Sequence, residues 1–209
     1  MQLENLVLDI RKNFDPEEIE IKISSLNIHA DQPFLDLWVK LDDEEVRSEN
    51  VIIDIVGYKD LKLQKDVFSD IDVVNDHPLL WKYNDLNSSL YFNGVAKDPY
   101  RLFGKLHRAH RGIYGDLLPP ETYWNTVFLE RDGFLPPFGL FASGPQKLMD
   151  AYARCFEEEG VSCSQTAASM PVFWNGTAHV EGFQVLKILF LDNSFIIAKD
   201  FVLRKRLVV

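Results

Sequence analysis

A chain of 209 residues with 46% hydrophobic and 26% charged content is large enough to bury a core without disulfide staples. Its net charge of −10 argues against a chain that as a whole seeks nucleic acid, because phosphate binding draws on clustered Lys and Arg. No apolar run approaches the ~18 residues of a membrane span, and Glu4, Asp9 and Arg11 interrupt the opening MQLENLVLDIRKNF where a signal peptide needs apolar residues, so a soluble, cytoplasmic protein with no membrane partner is expected.

Leu3, Leu6, Val7, Ile10 and Phe14 recur at helical spacing and predict a short amphipathic helix that stops near Asp15-Pro16. From Ile19 the period changes to two. Ile19, Ile21 and Ile23 alternate with Glu20, Lys22 and Ser24, the pattern of a half-buried strand. Residues 34–41, 51–56 and 67–74 repeat it, with turn-like or charged separators such as Asp42, Asp43, Glu44 and Glu45, and 88–92 adds a strand closed by Asn93-Gly94.

Residues 98–114, DPYRLFGKLHRAHRGIY, concentrate positive charge on an acidic body. Without their four Lys/Arg and one Asp the chain holds 18 basic and 31 acidic residues, a balance of −13. Asp98 suits an N-cap, Pro99 the first helical position, and Gly112 the point where a helix turns out. Leu102, Leu106, Ala109 and Ile113 then share a core face. Arg101, Lys105 and Arg108 line one flank of the exposed surface, and His107 and Arg111 the other.

Further along, 121–130 reads as a short helix or strand carrying Tyr123, Trp124, Val127 and Phe128. Residues 131–145, dense in Gly and Pro, read as an apolar loop whose Phe134, Phe138 and Phe141 either pack into the body or meet a second copy in a homodimer. Ser143 is placed to cap the next helix, which runs to Glu159 before Gly160 with Leu148, Tyr152, Cys155 and Phe156 on one stripe. The runs 183–191 and 195–203 predict a hairpin about Asp192-Asn193, the first run a central strand because both its faces are apolar. Strands at both ends with helices between predict an α+β fold, mainly antiparallel β-sheet or sandwich with a few packed helices. Composition suggests a division near 115–120, into 1–117 and 118–209, although one continuous domain fits as well.

The clearest chemistry is anion binding. Guanidinium groups clamp a carboxylate or phosphate and an imidazole adds a donor or a proton, so Arg101, Lys105, His107, Arg108, His110 and Arg111 are the candidate residues. The plainer alternative is a solvated face that pairs with the chain's own acids. His107 and His110 stand at i and i+3, yet the neighbouring cations oppose a metal, and none is expected. Aromatics beside Arg mark pockets and interfaces, which singles out Tyr100, Tyr114 and Trp124 with the three loop phenylalanines.

Asp70 and Asp72 project from one strand face, followed by Asp76-His77 in a turn, and default to a wet sheet face. Cys155 and Cys163 match neither a zinc spacing nor CxxC, and His29 and His179 stand alone near strand ends. No phosphate-loop, nucleophile-elbow or dinucleotide motif is present, and no cofactor is expected. The reading that follows is a non-catalytic protein that binds an acidic partner or small anionic ligand through 101–111. The alternatives are a hydrolase or transferase using His107 or His110 on an anionic substrate, or an acidic inhibitor or immunity-type protein using Asp42, Asp43, Glu44 and Glu45 or 157–159.

Overall fold

The computed structural model describes residues 3–42, 46–125 and 136–208. The fold is α+β, and every strand pairing among the described residues is antiparallel. The chain divides into two compact units, Met1–Asp76 with Val185–Val209, and His77–Gln184. The stretch 115–120, where composition suggests a division, lies inside the second unit. No helix among the described residues is long and apolar enough to cross a membrane.

The first unit opens with α1 (Leu3–Asn13), whose Leu3, Leu6, Val7 and Ile10 are buried as the helical spacing requires. Strands β1 (Ile19–Asn27), β2 (Phe34–Asp42), β3 (Val46–Val56), β4 (Asp60–Lys62), β5 (Val67–Phe68) and β6 (Ile71–Val74) follow. After the second unit the chain returns as β12 (Lys187–Leu191), β13 (Ser194–Ala198) and β14 (Asp200–Val208). One sheet has the order β14-β3-β2-β1-β5 and the other β4-β13-β12-β6. Ile21, Leu37, Ile53 and Phe201 from the first share a core with Ile71, Leu189, Leu191 and Ile196 from the second, and α1 adds its own stripe. Each such side chain removed from water contributes roughly 1.5–3 kcal/mol.

β12 is flanked by β13 and β6, as its two apolar faces require. The Asp192 turn has φ 47, and the carboxylate of Asp192 accepts from the Ser69 amide at 3.2 Å and meets Lys65 at 2.5 Å. Three strands read from periodicity need correction. The run 67–74 divides into β5 and β6, which enter different sheets; 195–203 breaks at Lys199 for the same reason; and 183–191 is strand only from Lys187, with Phe183 and Val185 exposed. Alternation reports which face is buried, and it does not say in which sheet a neighbouring strand is taken up.

In the second unit a 3-10 turn, Pro78–Leu80, leads into α2 (Trp81–Asn84), β7 (Asn87–Asn93), α3 (Pro99–Tyr114), a second 3-10 turn at Pro120–Thr122, β8 (Phe138–Pro145) and α4 (Gln146–Glu158). The short strands β9 (Ser162–Gln165), β10 (Val172–Trp174) and β11 (His179–Glu181) complete it. The sheet β8-β7-β9 packs against α4, α4 packs against α3, and β10-β11 form a separate hairpin. Residues 138–145 are thus strand, not loop, while Val127, Phe128 and Phe134 lie outside the described residues, as do Asp43, Glu44 and Glu45. Ser143 does not cap α4: it sits within β8 with its Oγ 2.8 Å from Oγ of Ser89. The first amides of α4 instead donate to the Leu86 carbonyl (2.6 Å) and to the Asp85 carboxylate (3.0 Å).

Candidate functional site

The basic helix is α3. The Asp98 side chain accepts from the Arg101 amide at 3.0 Å, Pro99 fills the first turn, and the helix runs through Gly112 to end at Gly115, whose φ of 59 suits a residue without Cβ. Its buried ridge is Leu102, Leu106, His110 and Tyr114, every fourth residue, with Ala109 and Ile113 only half-buried beside it. His110 is one of the six anion-binding candidates, yet it lies on this ridge. It is fully buried.

His110 Nε2 lies 2.8 Å from the Leu118 carbonyl and Nδ1 lies 2.6 Å from the Tyr152 hydroxyl. A carbonyl only accepts, so Nε2 carries the proton and Nδ1 accepts from Tyr152. The imidazole is neutral. Burial lowers its pKa, against the opposing pull of the Leu118 acceptor and the Glu121 charge. Burial likewise raises the pKa of the Tyr114 and Tyr152 hydroxyls, so this cluster is wired as structure and offers no exposed acid or base.

The basic side chains on α3 largely answer the acidic C-terminal end of α4. Lys105 Nζ meets Glu158 at 2.6 Å and Glu159 at 2.8 Å, and Arg101 Nε meets Glu159 at 3.1 Å. The Glu159 side chain is only 7% exposed, so these contacts compensate a nearly buried carboxylate. Hydrogen bonding to Lys105 holds the Glu158 carboxyl below its usual range, and the same pair raises Lys105. Arg111 meets Asp116 at 2.6 Å.

What stays open is a narrower arc. Arg108 is exposed and forms no ion pair with a described residue, and His107 is exposed with its ring edge-on to Trp124 at 5.0 Å. Tyr100, Gly104, Arg108 and Gly112 follow one another at four-residue steps along this outer side, and nothing stands within 4 Å of a Cβ built on either glycine. At the start of the helix a small apolar depression is lined by Phe92, Gly94, Val95, Pro99, Leu102 and Val161.

The aromatic candidates separate cleanly. Tyr114, Trp124 and Phe141 are buried in one cluster with Tyr152, in which Trp124 and Phe141 stand 5.3 Å apart, so they are core and not pocket lining. Tyr100 and Phe138 are exposed, at 78% and 69%.

Several other titratable groups are engaged in the fold. Arg11 of α1 binds both acids of the Asp70/Asp72 pair, to Asp70 at 3.3 Å. His77 accepts from the Leu79 amide through Nδ1 at 3.2 Å, capping the turn that follows. Burial raises the thiol pKa of both cysteines, that of Cys163 to about 11, so neither is an activated nucleophile. His29 is exposed, and His179 stands beside Trp174 on the outer hairpin at 5.2 Å. Among the described residues no group of three His, Cys, Asp or Glu is placed to share a metal.

A second surface carries no motif that marks it in the sequence. Residues 160–180 contain no Asp, Glu, Lys or Arg, yet Ser162, Ser164, Thr166 to Met170, Val172 and Trp174 are exposed. A charge-free but exposed run departs from an ordinary surface and resembles interface composition. Its strand β9 runs beside α4 along a groove that includes Asp150 and Glu157. No protein-family model, curated protein or solved structure matches the chain.

Proposed function

We propose that the chain is a non-catalytic binding protein that recognises an acidic segment of a partner along the outer arc of α3. The observation that carries this reading is Arg108, exposed between two glycines whose Cβ positions are open, with His107 and Arg111 alongside. Glycine inside a helix costs about 1 kcal/mol relative to alanine. Neither Gly104 nor Gly112 is required by packing, so their bareness leaves room for an incoming backbone beside the guanidinium. The apolar depression at the helix start accepts a hydrophobic anchor from the same segment.

Turnover has less support, because His110 is sealed in the core, Asp70 and Asp72 are held by Arg11, and His77 caps a turn, which leaves His107 without a described acid or base to work with. The acidic-inhibitor reading loses Glu158 and Glu159 to Lys105. The test is calorimetric titration of the protein with a glutamate-rich peptide carrying one leucine. Binding should weaken at least tenfold in R108E/R111E and with rising salt, and stay unchanged in K12E on α1. Equal affinity in all three proteins overturns the reading.

A further inference from the structure

β9 is the unguarded edge of the three-stranded sheet. The opposite edge, β8, is shielded: its pairing with β7 carries a bulge between Leu90 and Tyr91, Pro145 ends it, and Trp124 bridges to Ala142. β9 has none of these devices. Its register with β7 runs unbroken from Gln165 opposite Leu90 to Ser162 opposite Asn93, and Ser162–Gln165 contains no charge and no proline.

The ladder fixes which backbone groups look outward. The Thr166 amide donates to the Ser89 carbonyl at 3.0 Å, so residues 166, 164 and 162 spend their backbone groups on β7. By the alternation of an antiparallel pair, the N–H and C=O of Cys163 and Gln165 point to the other side. No strand pairs with β9 there among the described residues.

The wall facing that edge is a single stripe of α4, formed by Gln146, Asp150, Ala153 and Glu157. Ala153 keeps the middle of the groove low, with a carboxylate on either side of it. Asp150 is oriented by the Gln165 amide at 2.8 Å, and Arg154 turns back to the Asp150 carbonyl at 3.3 Å. Glu157 is exposed, and its charge adds to burial in raising the Cys163 thiol.

We infer that β9 receives an extended, basic segment of a partner protein as a fourth strand, with main-chain hydrogen bonds to Cys163 and Gln165 and alternate Lys or Arg side chains reaching Asp150 and Glu157. Backbone pairing supplies the affinity and the two carboxylates select the sequence. A second copy of this chain is disfavoured as occupant, since it would bring its own Asp150 and Glu157 against the same acids.

The probes are a short peptide alternating lysine and valine, its glutamate counterpart, and the lysine peptide N-methylated at alternate amides. The lysine peptide should bind and slow amide exchange at Cys163 and Gln165, whereas the other two should bind at least tenfold more weakly. D150N/E157Q should lose about fivefold to tenfold in affinity, against no change in the control E17Q. Equal binding of the N-methylated peptide, or equal losses in D150N/E157Q and E17Q, overturns the proposal by reducing the effect to general attraction of a cation to an acidic protein. Failure of the lysine peptide to bind, or dimerisation of the chain alone with protection of β9, overturns it too.

Discussion

Tyr152 donates its hydroxyl to Nδ1 of His110 across 2.6 Å, joining α4 to α3 through the only pair of polar side chains on their buried ridges that bond to each other among the described residues. Because burial puts the folded pKa of His110 below its ordinary 6.5, the unfolded chain takes up the proton first. The contribution of His110 to stability is therefore level above about pH 6.5 and falls as pH drops from there toward the folded pKa. Denaturant unfolding followed against pH should show this slope in the native chain and lose it in H110Q. H110A, which leaves the Tyr152 hydroxyl and the Leu118 carbonyl buried without partners, should cost about 2–4 kcal/mol at pH 7.5.

Lys105 and Arg108, three residues apart, should behave oppositely. K105M strips a nearly buried Glu159 of its shorter ion pair and should lower the melting temperature measurably even at high salt. Arg108, exposed and without an ion pair to a described residue, should change stability by no more than about 0.5 kcal/mol when replaced by alanine. A thermal scan of both variants at two salt concentrations separates the cation that holds the fold from the one that does not.

Gly144 is a close-approach position. A Cβ built there stands 2.5 Å from Cδ1 of Tyr123, whose ring stacks with that of Tyr114 at 5.9 Å. G144A should cost about 1–3 kcal/mol by overpacking, and Y123L should relieve part of that cost in the double variant. Chemical denaturation of the four-member cycle measures the coupling.

Gly104 and Gly112 make the contrary case. With open space at each Cβ, G104A and G112A should each stabilise the protein by roughly 0.5–1 kcal/mol. Under the proposed function they should also weaken binding of the acidic peptide. Unchanged affinity would show that the glycines do not serve recognition.

The legible parts of the fold were those set by local rules. Asp98 and Pro99 start α3, the Leu3 to Ile10 stripe buries α1, and the two apolar faces of β12 place it between neighbours. His110 was misplaced because hydropathy treats imidazole as surface, although its four-residue step from Leu106 put it on the core ridge. The start of α4 was misread because its cap is Asp85, remote in sequence, while the nearby Ser143 is drawn into β8. That the basic helix pairs with the chain's own acids is one of the alternatives the sequence offers, but the partners Glu158 and Glu159 are not legible in it, since no local pattern says which acids a helix will meet. The edge of β9 was invisible for a similar reason: four short polar residues declare nothing until their neighbours are known.

The pairing of Val74 with Ile188 carries a consequence for synthesis. The second unit is one uninterrupted stretch that leaves the first from β6 and returns to it at β12, the adjacent antiparallel strand. On the ribosome, residues 77–184 have their whole set of internal partners before β12, β13 and β14 emerge. The earlier strands β3, β4 and β6 must wait for β14, β13 and β12 respectively. The inner unit thus has its partners first, and the outer unit closes only once β12, β13 and β14 have followed it.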